Sequence, residues 1–395
     1  LMNYSTKFND LQILNDTLPV HLQRRYYLVI RILSIYALCL VITGTVGNVL
    51  TITVLTRRNL WRYVTMRYLT VVSLADIISL YGWNLNNFYK FTLNQQHSNL
   101  EDLSLIHCRL VSYMSFVGLQ LSSWCLTAVS LDRSLSLYSL SWKQKWGKLS
   151  RTVDNISILT CACLLLNCHI LFLNGYRDDD DRRTTRCYAT KTNAHYIFPQ
   201  WERVHLVMYN LCPFCIMLIS NTYIIHVTTI QRVQQIKTQR SRWSIKRRRQ
   251  LTCMLMLVTF AFIVLTLPSC IYFVFFRHHM IRDTSSSRLY RSMIQIILNS
   301  IQFTSHSINF FLYCFSSTNF RDEFRSLLTK ICPIVYCSVK RKPSLFAVTK
   351  KHQERHSRHA KQQNERESTL EHQHTGVTVR FKDLQITGHD GSDLT

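Results

Sequence analysis

Ionisable and amide side chains recur inside the apolar stretches of this sequence, and they are the residues best placed to do chemistry. Asp76 lies in the run LADI, and Asn48 follows two glycines in an earlier apolar stretch. A third group, spaced by four residues so that its members share a helical face, consists of Ser305, Asn309 and Tyr313. Such groups form charge-assisted hydrogen bonds, and the glycines near Asn48 would let its amide reach Asp76. The alternative is that they only hold helices together in lipid.

Long apolar helices are needed to position these side chains. Of the 395 residues, 47% are hydrophobic and only 17% are charged, and the apolar residues are collected in long runs. Because a bilayer core requires about 20 mostly apolar residues in a helix, we predict an all-α membrane protein with a seven-transmembrane helix bundle. Span seven is the most polar and would be missed by hydropathy alone, so six or eight spans are the alternatives. Spans one to seven are predicted at 29–55, 65–89, 107–138, 152–174, 203–229, 250–276 and 290–315.

Composition also indicates which functions to set aside. The net charge of +25 is carried by the loops and the tail. A nucleic-acid partner would require a soluble basic face, whereas apolar spans separate these basic stretches and favour contact with a membrane surface. Most of the 14 cysteines lie in apolar runs, and Cys212 and Cys215, although spaced like zinc ligands, lie in mid-span. We therefore expect no metal site, no resident cofactor and no enzymatic activity.

Sequons and cysteines indicate which side of the membrane each end faces. Asn3 and Asn15 begin glycosylation sequons before span one. Cys108 opens span three and Cys187 follows span four, and they are the only cysteines in the predicted outer loops. Oxidising conditions favour a disulfide between them, and two free thiols are the alternative. We predict a multi-pass plasma-membrane protein with an extracellular N-terminus and a cytosolic C-terminus, in agreement with a modest inner excess of Lys and Arg.

The segment after span seven has the pattern of a short amphipathic cytosolic helix. Phe320, Phe324 and Leu327 fall on one face, so the helix is expected to lie on the inner leaflet and contact membrane lipid. Cys332 and Cys337 follow it, either as palmitoylation candidates or as plain thiols. The predicted domains are an extracellular segment 1–28, a bundle 29–316, a surface helix 317–332 and a disordered cytosolic tail 333–395.

An ordered set of motifs resembles the signature set of rhodopsin-like, or class A, G-protein-coupled receptors. Each motif alone is weakly specific, whereas the ordered set, which covers most of the chain, is strongly so. The resemblance implies a ligand pocket between the helices and a cytosolic face that opens to a heterotrimeric G protein, with arrestin as a candidate partner of the tail. The motifs are Gly47-Asn48, Leu74-Ala75-Asp76, Cys108, Asp132-Arg133-Ser134, Pro213, Phe262 with Pro268, and Asn309-Phe310-Phe311-Leu312-Tyr313 followed by Phe320-Arg321.

The same resemblance implies working parts. Arg133 resembles an arginine that its neighbour Asp132 holds at rest and releases to the G protein, a charge-assisted clamp. Tyr313, in the motif that begins at Asn309, resembles a tyrosine that swings inward on activation. The core that repacks between ligand and cytosol is implied at Pro213, Phe262 and Pro268. A sodium ion is implied at the positions where the family often binds one, which are Asp76, Ser122, Ser305 and Asn309.

The sequence departs from the family pattern at several of these parts. Ser134 stands where tyrosine is commonest, Phe310 replaces a proline, and Thr266 replaces a tryptophan. Asn221 occupies the position of a tyrosine in span five. His306 neighbours the implied ion site, and as a cation it could stand in for sodium. These departures leave a non-signalling or decoy receptor open, and a transporter is a more distant alternative because no inverted repeat is present.

The motifs of spans six and seven also resemble those of invertebrate neuropeptide receptors of the FMRFamide type, which implies a peptide ligand. Ser115 stands where amine receptors keep an aspartate, and Phe303 stands where retinal-binding members keep a lysine. Four aspartates at 178–181 could attract a basic peptide or could simply be solvated. By family position, the pocket residues are Ser115, Leu119, His205, Phe273, Gln295 and Asn299.

Overall fold

The apolar runs of the sequence fold as long helices, because a helix satisfies its backbone hydrogen bonds within one segment and so tolerates lipid. The computed structural model describes residues 20–93, 99–139, 141–142, 149–177, 185–187, 196–234, 239–276 and 285–331. Within those ranges, six helices are long and apolar enough to cross a membrane, and they correspond to spans one to six. Span seven is helical as well but too polar to be recognised by hydropathy, as predicted. The chain is therefore a seven-helix bundle.

The helices lie close to the predicted limits, although spans one, five, six and seven begin earlier than predicted. In chain order, the spans comprise Val20–Leu55; Val64–Phe88 continued by the π-helical turn Tyr89–Leu93; Leu105–Tyr138; Leu149–Asn167 with Ile170–Leu173; Tyr196–Trp201, Glu202–Leu206, Val207–Leu211 and Cys212–Gln234; Gln239–Ile271 with Tyr272–Phe276; and Ser285–Ser307 with Asn309–Ser316. Short helices outside the spans are Arg58–Trp61, the 3₁₀ turn Leu100–Leu103, and Thr318–Ile331.

A short β-hairpin follows span four, and the sequence analysis did not predict it. Tyr176–Arg177 pairs antiparallel with Thr185–Arg186. Gly175 precedes the first strand with a φ of 75°, in the left-handed region that glycine adopts without steric cost. The second strand leads directly to Cys187, which forms a disulfide with Cys108. The predicted disulfide is thus confirmed, and the hairpin lies beside the start of span three.

Span seven is interrupted at Ile308, between its two helical segments. The interruption occurs without the proline that the family pattern has at the position of Phe310. The ring of Phe310 packs edge-on against Phe320 and Phe324, with centroid distances of 5.9 and 5.2 Å. Aromatic packing therefore holds span seven against the start of the following helix, the helix for which an amphipathic pattern was predicted.

The close approach of spans two and three depends on Gly118. A Cβ atom at this position would lie 2.7 Å from the hydroxyl oxygen of Ser79 and 3.0 Å from the carbonyl oxygen of Ala75. A backbone carbonyl cannot give way unless span two itself shifts, so only glycine fits at this spacing. Since Asp76 directly follows Ala75, this contact also sets how closely Asp76 approaches span three.

Several predicted features lie outside the described residues. They are the sequon residues Asn3 and Asn15, the four aspartates 178–181, Cys332 and Cys337, and the tail 333–395. The predicted domain boundaries also stay predictions.

We expect Gly118→Ala to destabilise the bundle. The added methyl group would press on the Ala75 carbonyl and force spans two and three apart, and overpacking of this kind costs about 1–3 kcal/mol. The measurement is the apparent Tm of the detergent-purified protein. As a control, Leu110→Ala changes a side chain of the same helix that is 50% exposed, and it should lower the Tm less. Equal Tm values for Gly118→Ala and the unaltered protein would contradict the packing argument.

Candidate functional site

A central polar cluster joins spans two, three, five and seven; we define it as Asp76, Ser122, Tyr209, His306 and Asn309. The side chain of Asp76 is 0% exposed. Its Oδ1 accepts a hydrogen bond from the Ser122 hydroxyl at 2.6 Å and faces Nδ1 of His306 at 2.7 Å. Its Oδ2 accepts from Nδ2 of Asn309 at 2.7 Å. A buried carboxylate is costly unless donors replace its lost water, and these three groups replace it.

His306 connects Asp76 to span five. We assign the proton of the hydrogen bond between these two residues to Nδ1 of His306, because Oδ1 of Asp76 already accepts from the Ser122 hydroxyl. The other ring nitrogen, Nε2, lies 3.0 Å from the hydroxyl oxygen of Tyr209. Phe262 of span six packs edge-on against Tyr209 and His306, with centroid distances of 6.0 and 6.2 Å. A hydrogen-bonded connection therefore runs from span two through span seven to span five, with span six packed against it.

Two side chains near the cluster bond elsewhere than expected. The Asn48 amide donates to the backbone carbonyl oxygen of His306 at 2.9 Å, so the predicted bond to Asp76 is wrong. The Ser305 hydroxyl donates to the carbonyl oxygen of Gln302 at 2.7 Å, within its own helix. Of the candidate ion-site residues, the structure therefore brings Ser122 and Asn309 to Asp76 but turns Ser305 away. Among the described residues, no group of three or more His, Cys, Asp or Glu could hold a metal ion.

The residues implied to form the repacking core occupy different depths. Phe262 and Pro213 are buried, whereas Pro268 lies on the exposed surface of span six. Span three reaches this core through Ser123, whose hydroxyl donates to the carbonyl oxygen of Tyr209 at 2.6 Å. Phe262 and Pro213 thus lie in the interior, whereas Pro268 does not, and the repacking role of all three stays a prediction.

The replaced positions of spans five and six form contacts of their own. The Thr266 hydroxyl donates to the carbonyl oxygen of Phe262 at 2.8 Å, within span six. The Asn221 amide donates to the Thr259 hydroxyl at 2.8 Å, which ties span five to span six. Asn221 therefore joins the two helices directly at the position where the family pattern has a tyrosine.

Tyr313 lies in the interior beyond the central cluster. Its ring packs against Phe320 with a centroid distance of 5.6 Å, and the residue is fully buried. Its hydroxyl has no hydrogen-bond partner within the described part of the chain. A buried unpaired polar group costs about 1–3 kcal/mol, so an arrangement in which this hydroxyl finds a partner would be favoured by that amount.

Arg133 and Asp132 lie at the end of span three that we call the arginine end. The Arg133 guanidinium donates to the hydroxyl of Thr65 at the start of span two, with its Nε at 2.9 Å. The Asp132 carboxylate accepts from the indole nitrogen of Trp142 at 3.5 Å. Each member of the expected clamp therefore has a partner outside the pair. The sequence analysis did not identify Thr65, because a threonine at the start of a helix carries no distinguishing spacing.

Polar contacts also fix the helix after span seven to neighbouring elements at the arginine end. Glu323 accepts from Nε of Arg57 at 2.8 Å and from the amide of Asn59 at 2.6 Å. The Thr318 hydroxyl donates to Oε1 of Gln250 in span six at 2.9 Å. This contact between span six and the following helix is uncharged, and a small displacement would break it.

The pocket candidates lie nearer the opposite end, which we call the disulfide end. Ser115, Leu119, Gln295 and Asn299 are partly exposed, whereas His205 and Phe273 are buried. Nε2 of His205 lies 3.0 Å from the carbonyl oxygen of Phe116 and the two rings meet edge-on at 4.6 Å, so this imidazole already has partners.

Asp102 anchors the loop that carries Cys187. Its Oδ1 accepts from the backbone N–H of Cys187 at 3.4 Å, and its Oδ2 accepts from the Asn99 amide at 2.8 Å. Lys90 donates in turn to Asn99 at 2.9 Å. Burial raises the pKa of Asp102, and the hydrogen bond from Asn99 opposes the rise. Folding therefore favours the protonated form, and the associated stability is lost as the pH rises through the raised pKa.

Gln302 is the interior residue that the sequence analysis most clearly missed. Its Oε1 accepts a hydrogen bond from the Ser269 hydroxyl of span six. Gln302 precedes His306 by one helical turn and so lies on the same face of span seven. That spacing was a usable signal. It would have placed Gln302 between the pocket candidates and the central polar cluster.

Comparison with known proteins agrees with this arrangement. The family described as 7 transmembrane receptor (rhodopsin family) matches residues 47–313. A Caenorhabditis elegans protein described as a probable G-protein coupled receptor is 23% identical over 303 residues, which are 72% of this chain and 67% of that protein. C-C chemokine receptor type 8 of Macaca mulatta is 22% identical over 310 residues, 77% of this chain and 81% of that receptor. Somatostatin receptor type 2 of Mus musculus is 22% identical over 301 residues, 74% of this chain and 75% of that receptor.

We expect Asp102→Ala to make the Cys108–Cys187 disulfide easier to reduce. Without the carboxylate, the backbone N–H of Cys187 loses its acceptor, and a lost hydrogen bond of about 1 kcal/mol corresponds to roughly fivefold in a local opening equilibrium. The measurement is the rate of reduction by dithiothreitol in the native state, followed by differential alkylation and mass spectrometry of the Cys187 peptide. The control is Leu103→Ala, which alters an adjacent side chain that is 68% exposed. Equal rates in the two variants would refute the anchoring of the loop by Asp102.

Proposed function

The chain belongs to the rhodopsin family of seven-transmembrane receptors, and we propose that it binds an extracellular peptide and activates heterotrimeric G proteins. The observation that carries the signalling part is the hydrogen bond from Arg133 to Thr65. This hydrogen bond joins the guanidinium to a neutral hydroxyl, and such a bond is weaker than one to a carboxylate. We propose that Arg133 exchanges its hydrogen bond with Thr65 for one with an acceptor on a G protein.

We propose that the disulfide end faces the extracellular space and that the arginine end faces the cytosol, in the plasma membrane. A disulfide persists in oxidising surroundings, which favours the outer side for Cys108 and Cys187. The arginine end carries Arg57, Arg58 and Arg62 in the first connection between spans, as the inner side of membrane proteins usually does. In this orientation Asn3 and Asn15 would be accessible to glycosylation, and Cys332 and Cys337 to palmitoylation.

The route from ligand to G protein follows contacts between helices. A ligand that displaces span six at Ser269 acts on Gln302 and, one turn further along span seven, on His306. Because Asn221 and Thr259 tie spans five and six, these two helices move together at the arginine end. That movement would break the contact of span six with the following helix and open a cavity beside Arg133. The buried hydroxyl of Tyr313 would then gain partners.

A peptide is the proposed class of ligand for two reasons. Some of the relatives, including somatostatin receptors of Mus musculus and Rattus norvegicus, are peptide receptors by name. The partly exposed pocket candidates are also mainly polar and uncharged, which suits peptide amides. Ser115 supplies no carboxylate for an amine and lies close against Gly82, where an added Cβ atom would meet its hydroxyl. The narrower resemblance to receptors of the FMRFamide type stays a prediction.

A ligand screen tests the proposed class. Cells that express the full chain with a promiscuous G protein would be exposed to a neuropeptide library, to monoamines and to lipids, with intracellular calcium as the readout. We expect activation by one or more peptides and none by the amines. Activation by an amine alone would contradict the peptide proposal. A peptide that binds without promoting nucleotide exchange on any G-protein class would instead favour the decoy receptor.

We expect Arg133→Ala to abolish ligand-stimulated nucleotide exchange while ligand binding is retained. The guanidinium is the proposed contact with the G protein, and its removal leaves the disulfide end unchanged. Surface expression, ligand Kd and GTPγS binding would be measured on the same membranes. The matched control is Arg67→Ala at the start of span two, since the Arg67 guanidinium lies 5.0 Å from the ring centroid of Trp61 in the first connection between spans. Normal exchange by an expressed, ligand-binding Arg133→Ala receptor would refute the assignment.

We expect Thr65→Val to raise ligand-independent exchange, by about fivefold if the lost bond is worth about 1 kcal/mol. Valine has nearly the shape of threonine but cannot accept the hydrogen bond from Arg133, so this restraint of Arg133 by span two is lost. The control is Thr70→Val in the same helix, because the Thr70 hydroxyl donates to the Met66 backbone at 2.9 Å, within that helix. The measurement is basal GTPγS binding per surface receptor. An equal basal rate in both variants would contradict the proposal that Thr65 restrains Arg133.

A further inference from the structure

The central polar cluster does not fit the sodium ion that the family resemblance implies. Hard cations are bound through oxygen atoms. Of the three side chains that contact the Asp76 carboxylate, His306 and Asn309 present N–H groups, and only Ser122 presents an oxygen. The fourth implied oxygen, on Ser305, is turned to the backbone of its own helix. The positive ends of these N–H groups point at the carboxylate oxygens and oppose a cation that approaches them.

The imidazole of His306 occupies the position of the missing ion. Its Nδ1–H is directed at Oδ1 of Asp76 from 2.7 Å, so a cation on that oxygen would meet the positive end of the N–H bond. The ring cannot readily turn away, because His306 is 1% exposed and Nε2 is held by Tyr209 at 3.0 Å. Phe262 and Phe303 flank it, with ring centroids 6.2 and 6.0 Å away.

We propose that His306 replaces sodium in this receptor, and that the receptor does not bind sodium at Asp76. The chain supplies its own donor to the buried carboxylate, with two consequences. Stability and signalling are insensitive to the sodium concentration. The donor also cannot diffuse away, so the restraint on Asp76 is released only when span seven moves. The inference concerns the central polar cluster and does not depend on the identity of the ligand or of the G protein.

The test compares the thermal stability of the full-length receptor in sodium chloride and in choline chloride at equal ionic strength. We expect the apparent Tm of the unaltered receptor to be the same in both salts. His306→Ser removes the imidazole and leaves a hydroxyl oxygen beside Asp76, so this variant should gain a sodium-dependent rise in Tm of about 3 °C or more. Two results would overturn the proposal. One is a rise in the Tm of the unaltered receptor with sodium, and the other is the lack of such a rise in a folded His306→Ser variant.

Two further variants separate ion binding from general loosening of the cluster. Tyr209→Phe removes the hydroxyl that holds Nε2 but leaves His306 against Asp76, so it should lower the Tm without creating a sodium response. Asp76→Asn removes the carboxylate itself. If His306→Ser does not fold, the comparison of unaltered receptor with Asp76→Asn decides the matter: a sodium response that Asp76→Asn abolishes overturns the proposal, and no response in either protein supports it.

Discussion

The arrangement of the bundle depends on one constraint, which is that the carboxylate of Asp76 is buried in mid-membrane and must be hydrogen-bonded there. A charge that has lost its hydration is tolerated only when donors lie at short range. The donors come from spans three and seven, at Ser122, His306 and Asn309, so both helices must approach span two closely. The glycine at 118 permits that approach on one side, since any larger residue would press on the backbone of span two. The burial of the Asp76 carboxylate therefore requires the close spacing of spans two, three and seven.

Charged groups in the centre and at the arginine end are both stabilised partly by neutral hydroxyls. Ser122 donates to Asp76, and Thr65 accepts from Arg133. A hydroxyl relieves the desolvation of a charge without adding a counter-charge, so such a contact is weaker than an ion pair and is more readily exchanged. Tyr313 is buried, and its hydroxyl has no hydrogen-bond partner among the described residues. The interior therefore contains groups that are satisfied in this arrangement and others, Tyr313 among them, that would be better satisfied in another.

The sequence was sufficient to predict the helices, the disulfide and the face of span seven that meets Asp76, because each rests on composition or on spacing along one helix. It was not sufficient for partners that depend on how helices are rotated and shifted. Asn48 is close to the centre, yet its amide reaches the backbone of His306, since a small rotation of span one decides between two acceptors. The Ser305 hydroxyl bonds within its own helix, as serine in a helix often does. The hairpin before Cys187 has strands too short to show an alternating pattern.

The altered positions of spans five and six change which residues can connect the pocket to the centre. Thr266 is much smaller than the tryptophan of the family pattern, and its hydroxyl is bonded to its own helix, so it cannot transmit a displacement to its neighbours by bulk. The polar connection instead runs from Ser269 to Gln302 and, along one face of span seven, to His306. Since His306 holds both Asp76 and Tyr209, a displacement there acts on span two and span five together. The histidine that we propose in place of an ion is thus also the residue that links the helix face carrying Gln302 to the charged centre.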